Sequence, residues 1–143
     1  MQWLLLSYKI PREPTTGRVG VWRKLRRLAA QPVQDAVWVL PLNPHTREHL
    51  EWLAAEITEL GGEAAIWQAQ PLSADQDEAL VDRFRSAAHR SYQAILAELR
   101  RKTADVPALA RRYREVLGRD YFREGLGPQV RDALLAARKE VSK

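Results

Sequence analysis

Residues 31–41 read QPVQDAVWVLP, and whether they form one strand or two decides what sheet the chain can build. Val33, Val37, Trp38, Val39 and Leu40 are β-branched, aromatic or aliphatic, which suits a pleated surface, and Pro41 closes the run. Read as one strand, VQDAVWVLP is the second of three in the first half, and a fourth must come from a partner. Read as split, residues 31 to 40 supply the fourth strand themselves.

On the N-terminal side the periodicity is helical. From Arg18, the residues Val21, Trp22, Leu25, Leu28 and Ala29 fall on one side of a helix and Arg23, Arg26 and Arg27 fall opposite, until Pro32 stops it. Upstream, QWLLLSYKI (residues 2–10) is apolar and aromatic enough for a strand largely buried on both faces, and PREPTTG carries the turn residues of a loop. On the C-terminal side, NPHTREHLEWLAAEITELGG (residues 43–62) predicts a second helix. Asn43 caps it, Pro44 suits its first position, and Gly61-Gly62 ends it. Its buried stripe is Leu50, Leu53, Ala54, Ile57 and Leu60, and EAAIWQAQPL follows as a strand.

Beyond Pro71 the pattern is entirely helical. Ser73 caps a long helix with Gln76 placed for a capping box, and Leu80, Phe84, Ala87, Ser91, Ile95 and Leu99 form its apolar stripe. Asp105 and Pro107 open another helix ending near Gly118, and Gly127-Pro128 opens a last one reaching Val141. The order predicts an α+β protein: a ferredoxin-like β-α-β-α-β sandwich over residues 1–72 and a helical C-terminal extension over residues 73–143. A sheet in need of a further strand points to a homodimer.

Composition narrows the function. The 143 residues contain no cysteine, which removes thiolate nucleophiles, disulfides and Cys-ligated zinc and suits a reducing compartment. No apolar run approaches the roughly 20 residues of a membrane span, and the opening MQWLLLSYKIP lacks the basic start of a signal peptide, so a soluble cytoplasmic protein is expected. The net charge of +5 is unevenly spread: residues 1–82 carry 8 basic and 11 acidic side chains, and residues 83–143 carry 15 and 7. A basic half predicts an anionic partner.

Candidate catalytic motifs are weak. HTREH, residues 45–49, fits the H-x-x-E-H pattern of a zinc protease, with Glu48 as the base. With Leu50, Leu53 and Ile57 pointing inward, however, His45 and His49 lie on the outer flank and lack a third ligand. The serines have no nucleophile-elbow context, the helix-two glutamates read as a solvated face, and no phosphate-binding Gly-rich loop is present. The expectation is a protein without catalytic residues, metal or cofactor. The tryptophans at positions 3, 22, 38, 52 and 67 fall on apolar stripes or strands and are expected in the core.

Binding surfaces are better supported. Between Arg18 and Gln34 there is no acidic residue, and Arg18, Arg23, Lys24, Arg26 and Arg27 can track a phosphate backbone, so this helix is the expected DNA contact. On the long helix, Arg83, Arg85, His89 and Arg90 are the candidate anion site, because the guanidinium fork matches tetrahedral oxyanions.

The blocks WLLLSYKIPREP, VWRKLRRLAA, QDAVWVLP, REHLEWLAAEITELGGEAAIWQA and DRFRSA, in order, resemble the N-terminal domain of the chromate-resistance regulatory protein ChrB. The resemblance runs from about residue 2 to residue 100 and more loosely through RRYREVLGRDYF. It implies a cytoplasmic bacterial regulator that senses chromate as its effector and controls an efflux operon through DNA. Longer members of the family carry a second, C-terminal domain, and this sequence ends at Lys143. The layout is also similar to the Cas2-like sandwich of phenylacetate-type repressors and CRISPR-associated endoribonucleases. Those nucleases place an aspartate after tyrosine at the end of the first strand, where SYKI here has Lys9. Lysine cannot ligate magnesium as a carboxylate does, so the resemblance implies a binder. The alternative is an accessory or protein-interaction module of the same system that binds no DNA.

Overall fold

The computed structural model describes residues 1–141. Its elements are β1 (Trp3–Lys9), α1 (Thr15–Arg27), β2 (Gln31–Gln34), β3 (Val37–Pro41), α2 (Pro44–Glu59), β4 (Glu63–Ala69), α3 (Ala74–Leu99), α4 (Val106–Gly118) and α5 (Leu126–Val141). The protein is thus a mixed α+β chain with a four-stranded antiparallel sheet and five helices among the described residues.

Residues 31–41 split into two strands. Asp35 and Ala36 turn the chain back, with Ala36 at φ +60°, so that Gln34 faces Val37 and Gln31 faces Val39. Positive φ falls on the second turn residue only, as in an unprimed type II turn rather than the primed turns usual in two-residue hairpins. The ladder slips between Pro32 and Gln34, where the proline has no N–H to donate. The sheet order is β2-β3-β1-β4, with β1 in the interior. The chain therefore provides its own fourth strand, and the inference of a dimer from a missing strand falls away.

The chain separates into two compact units, Met1–Glu78 and the part from Ala79 onward. In the first, α2 packs on β1 and β4, and α1 lies along α2. Trp3, Leu6, Val21, Leu25, Leu40, Leu50 and Ile57 are almost wholly removed from water there. The ends of α2 follow the expected chemistry. The Asn43 side chain accepts the Thr46 N–H at 2.8 Å, and Thr46 Oγ1 accepts the Asn43 N–H at 3.1 Å, a reciprocal cap. At the other end Gly61 sits at φ +85°. A Cβ on Gly62 would lie 2.3 Å from the Lys9 carbonyl oxygen, so only glycine permits that approach of α2 to β1.

Three of the five tryptophans depart from expectation. Trp3 and Trp38 are core, but Trp22, Trp52 and Trp67 are 50%, 71% and 57% exposed. On α1 and α2 the buried lines are Val21–Leu25 and Thr46–Leu50–Leu53–Ile57, which leave Trp22 at a flank and Trp52 on the outer side. Trp67 lies on β4 and donates its indole N–H to Ser7 Oγ at 3.0 Å. Leu60, expected in the stripe of α2, is also partly exposed.

In the second unit Ala88, Tyr92, Ile95, Leu109, Val116, Val130 and Leu134 form the core. The buried line of α3 is therefore Phe84, Ala88, Tyr92 and Ile95, not the Ala87–Ser91 line that the apolar pattern predicts. Tyr92 turns inward because its hydroxyl has a partner, donating to Asp120 Oδ2 at 2.9 Å. The Asp105 side chain caps α4 by accepting the Ala108 N–H at 3.1 Å. Among the described residues no helix is long and apolar enough to cross a membrane.

Candidate functional site

Helix α1 holds the first candidate surface. Val21 and Leu25 face inward, which sends Arg23, Arg26 and Arg27 outward over the last two turns. Arg18, Arg23, Lys24, Arg26 and Arg27 are all exposed. Lys24, Arg26 and Arg27 also sit in the last turn, where the helix dipole favours cations. The guanidinium of Arg26 lies 5.6 Å from the ring centre of Trp22, a cation–π stack that holds it in place on the flank. Lys24 differs from the others: its ammonium forms an ion pair with Glu56 of α2. The sequence is free of acid from Arg18 to Gln34, yet the fold brings a carboxylate from 32 residues away onto this edge. The outward cationic set is therefore Arg23, Arg26 and Arg27 with Arg18 one to two turns earlier.

The second surface belongs to the helical unit. An open pocket of about 570 Å³ is lined by Arg85, Ser86, His89, Arg90, Arg123, Glu124 and Gly125. Three of the four residues proposed from the sequence, Arg85, His89 and Arg90, meet there, and Arg83 is not among the lining residues. Two participants escaped the sequence reading. Arg123 comes from the turn before α5, held at φ +50°. Glu124 pairs with His89, its Oε1 lying 2.8 Å from Nδ1. Glu124 is itself fixed: its Oε2 accepts the Leu126 N–H at 2.8 Å, and its own N–H donates to the Asp120 carboxylate. Asp120 in turn accepts from Tyr92, and burial followed by that contact pushes the Tyr92 phenol far above its ordinary value. The side chains of α3 are thus locked to the α4–α5 turn by a chain of hydrogen bonds from Tyr92 to His89.

Chemically, the pocket can hold a small polar anion. Three arginines line it, and Glu124 opposes them with one negative charge. His45 and His49 are exposed and touch edge to face, with ring centres 4.3 Å apart. Among the described residues no group of three or more histidine, cysteine, aspartate or glutamate side chains could enclose a metal.

Comparison with known proteins bears on these surfaces. The family described as Protein ChrB, N-terminal, matches residues 18–114. That span begins at Arg18 and takes in the whole cationic face of α1 and the Arg85–Arg90 turn of α3; Arg123 and Glu124 lie beyond it. Protein ChrB of Cupriavidus metallidurans is 29% identical over 108 residues, covering 72% of this chain and 32% of its own length. The chain thus spans about a third of the length of that curated relative. No solved structure matches.

Proposed function

This chain belongs to the family of ChrB N-terminal domains, and on that premise we propose that it is a regulatory module of chromate resistance that binds DNA and responds to chromate. The observation that carries the reading is the outward face of α1, where Arg23, Arg26 and Arg27 project together with no carboxylate between them in sequence. Such a face gives sequence-independent affinity for phosphates. The strand order β2-β3-β1-β4 with one helix before β2 and one before β4 supports a ferredoxin-like, Cas2-type sandwich as its platform.

The Arg85–His89–Arg90–Arg123 pocket is the proposed seat of a tetrahedral oxyanion. Chromate there would change DNA affinity only through a different affinity for the DNA-competent and DNA-weak states. The turn carrying Arg123 and Glu124 is the element whose position such an anion would bias. We further place the module in the cytoplasm, where both its operator and reduced thiol pools reside.

The test is binding of the chain to promoter DNA upstream of its gene, across a salt series, with and without chromate. Replacing Arg23, Arg26 and Arg27 by alanine should weaken binding to all sequences alike and flatten the log–log salt slope by about 0.9 for each phosphate that is no longer neutralised. Unchanged affinity and slope in that variant would remove α1 from the DNA interface. Absence of any DNA binding by the intact chain favours the accessory-module reading.

A further inference from the structure

Two further surfaces carry opposite charge. The first is the outer side of α2. Its buried residues Thr46, Leu50, Leu53 and Ile57 leave Glu48, Trp52, Ala55 and Glu59 as a line on the opposite side. Trp52 is the most exposed of the tryptophans, at 71%. Glu51 and Glu56 are already paired, with Arg47 and Lys24. Glu48 and Glu59, which bracket Trp52, have no ion-pair partner among the described residues.

The second surface is a groove between α4 and α5. Its apolar lining includes Val106, Ala110, Leu134 and Leu135, and its volume is about 620 Å³. Leu135 is 51% exposed and Val141, at the groove's end, 74%. Four arginines also line it, Arg111, Arg114, Arg131 and Arg138, and among the described residues no acidic side chain does. Arg131 is paired with Asp132 at 3.5 Å, which leaves Arg111 and Arg114 of α4 as the cations offered beside the apolar channel, a combination that suits a helix presenting an aromatic anchor near a carboxylate.

We propose that the Glu48–Trp52–Glu59 face of α2 in one copy of this chain docks in the α4–α5 groove of a second copy. Trp52 supplies the anchor, since burying a tryptophan removes about 150–250 Å² of side chain from water. Glu48 and Glu59 are about three turns apart and Arg111 and Arg114 about one turn apart, so the carboxylate at one end of the line meets the Arg111–Arg114 pair, which brings opposite charges together across the interface. The contact joins two different patches, so it closes only when paired reciprocally about a two-fold axis or around a ring. It is independent of the proposed role in chromate resistance.

Sedimentation of the full chain and its variants tests this directly. Trp52→Glu spoils one patch and Leu135→Glu the other, and both positions are more than half exposed, so circular dichroism should report native folding. Wild type is expected to self-associate, less so at high salt, and each variant alone should associate at least about tenfold more weakly. Mixing the two variants should restore association, because each retains the patch that the other lacks. Glu48→Arg/Glu59→Arg should likewise associate with Arg111→Glu/Arg114→Glu but not with itself. A monomeric wild type, variants that associate as strongly as wild type, or a mixture that fails to recover would each overturn the proposal. Strong association of both variants would place the interface elsewhere, such as an edge strand of the sheet.

Discussion

The Tyr92 hydroxyl belongs to a residue at 0% exposure and has one acceptor, Asp120, and together with the His89–Glu124 pair this bond joins α3 to the turn that carries Arg123 and Glu124 of the candidate anion pocket. Burial and the neighbouring carboxylate both favour the protonated phenol, and burial likewise pushes Tyr121 up to about 12. The folded state therefore holds these protons more tightly than the unfolded chain, whose tyrosines titrate near 10.0. Their stabilisation is complete below that pH and is lost as pH rises from there through the folded-state values. Urea midpoints should stay level up to that pH and fall beyond it, and Tyr92→Phe should fall less steeply. The same substitution should lower stability near neutral pH by about 1 kcal/mol, the net worth of a typical hydrogen bond. A pH profile identical to wild type would show that the Tyr92 proton is held no more tightly in the folded than in the unfolded chain. Tyr92 also marks a limit of sequence reading. Its place on the helix was legible, but its inward turn depends on Asp120, 28 residues on.

At the scale of elements, local chemistry decided most boundaries. Asn43, Pro44 and Gly61-Gly62 bound α2, and Ser73 and Asp105 cap the next two helices through the Gln76 and Ala108 N–H groups. Each signal acts within four residues, so it is visible in the sequence. Asn43→Ala removes the acceptor for the Thr46 N–H and should lower stability by about 1 kcal/mol, measured by thermal or urea unfolding. A loss below a few tenths would mean that Thr46, which also donates to the Pro41 carbonyl at 2.6 Å, holds the helix start unaided. The β2–β3 hairpin was less legible. Asp35-Ala36 is not the Asn-Gly or Asp-Gly pair that announces a two-residue turn, and the strand count therefore stayed open until the pairing was known.

Across the whole molecule, charge is segregated and three large aromatics face water. The protein's fluorescence should show it: Trp22, Trp52 and Trp67 should be quenched readily by acrylamide, leaving a protected fraction from Trp3 and Trp38. A uniformly protected signal would mean that those three are covered in solution, and the Trp52→Glu variant would then tell whether a second copy covers one of them. The chain supplies all four strands of its sheet, so self-association is not needed to complete it, and β2 and β4 are its open edges.

By itself the sequence determined the alternation of helix and strand, the caps, most of the core of the first unit and the cationic side of α1, because periodicity and capping are properties of neighbours. Tertiary structure alone decided that residues 31–41 form a hairpin and that Glu56 engages Lys24. It also brought Arg123 and Glu124 to Arg85, His89 and Arg90. Those outcomes depend on residues far apart in the chain, and no local pattern carries the distance between them.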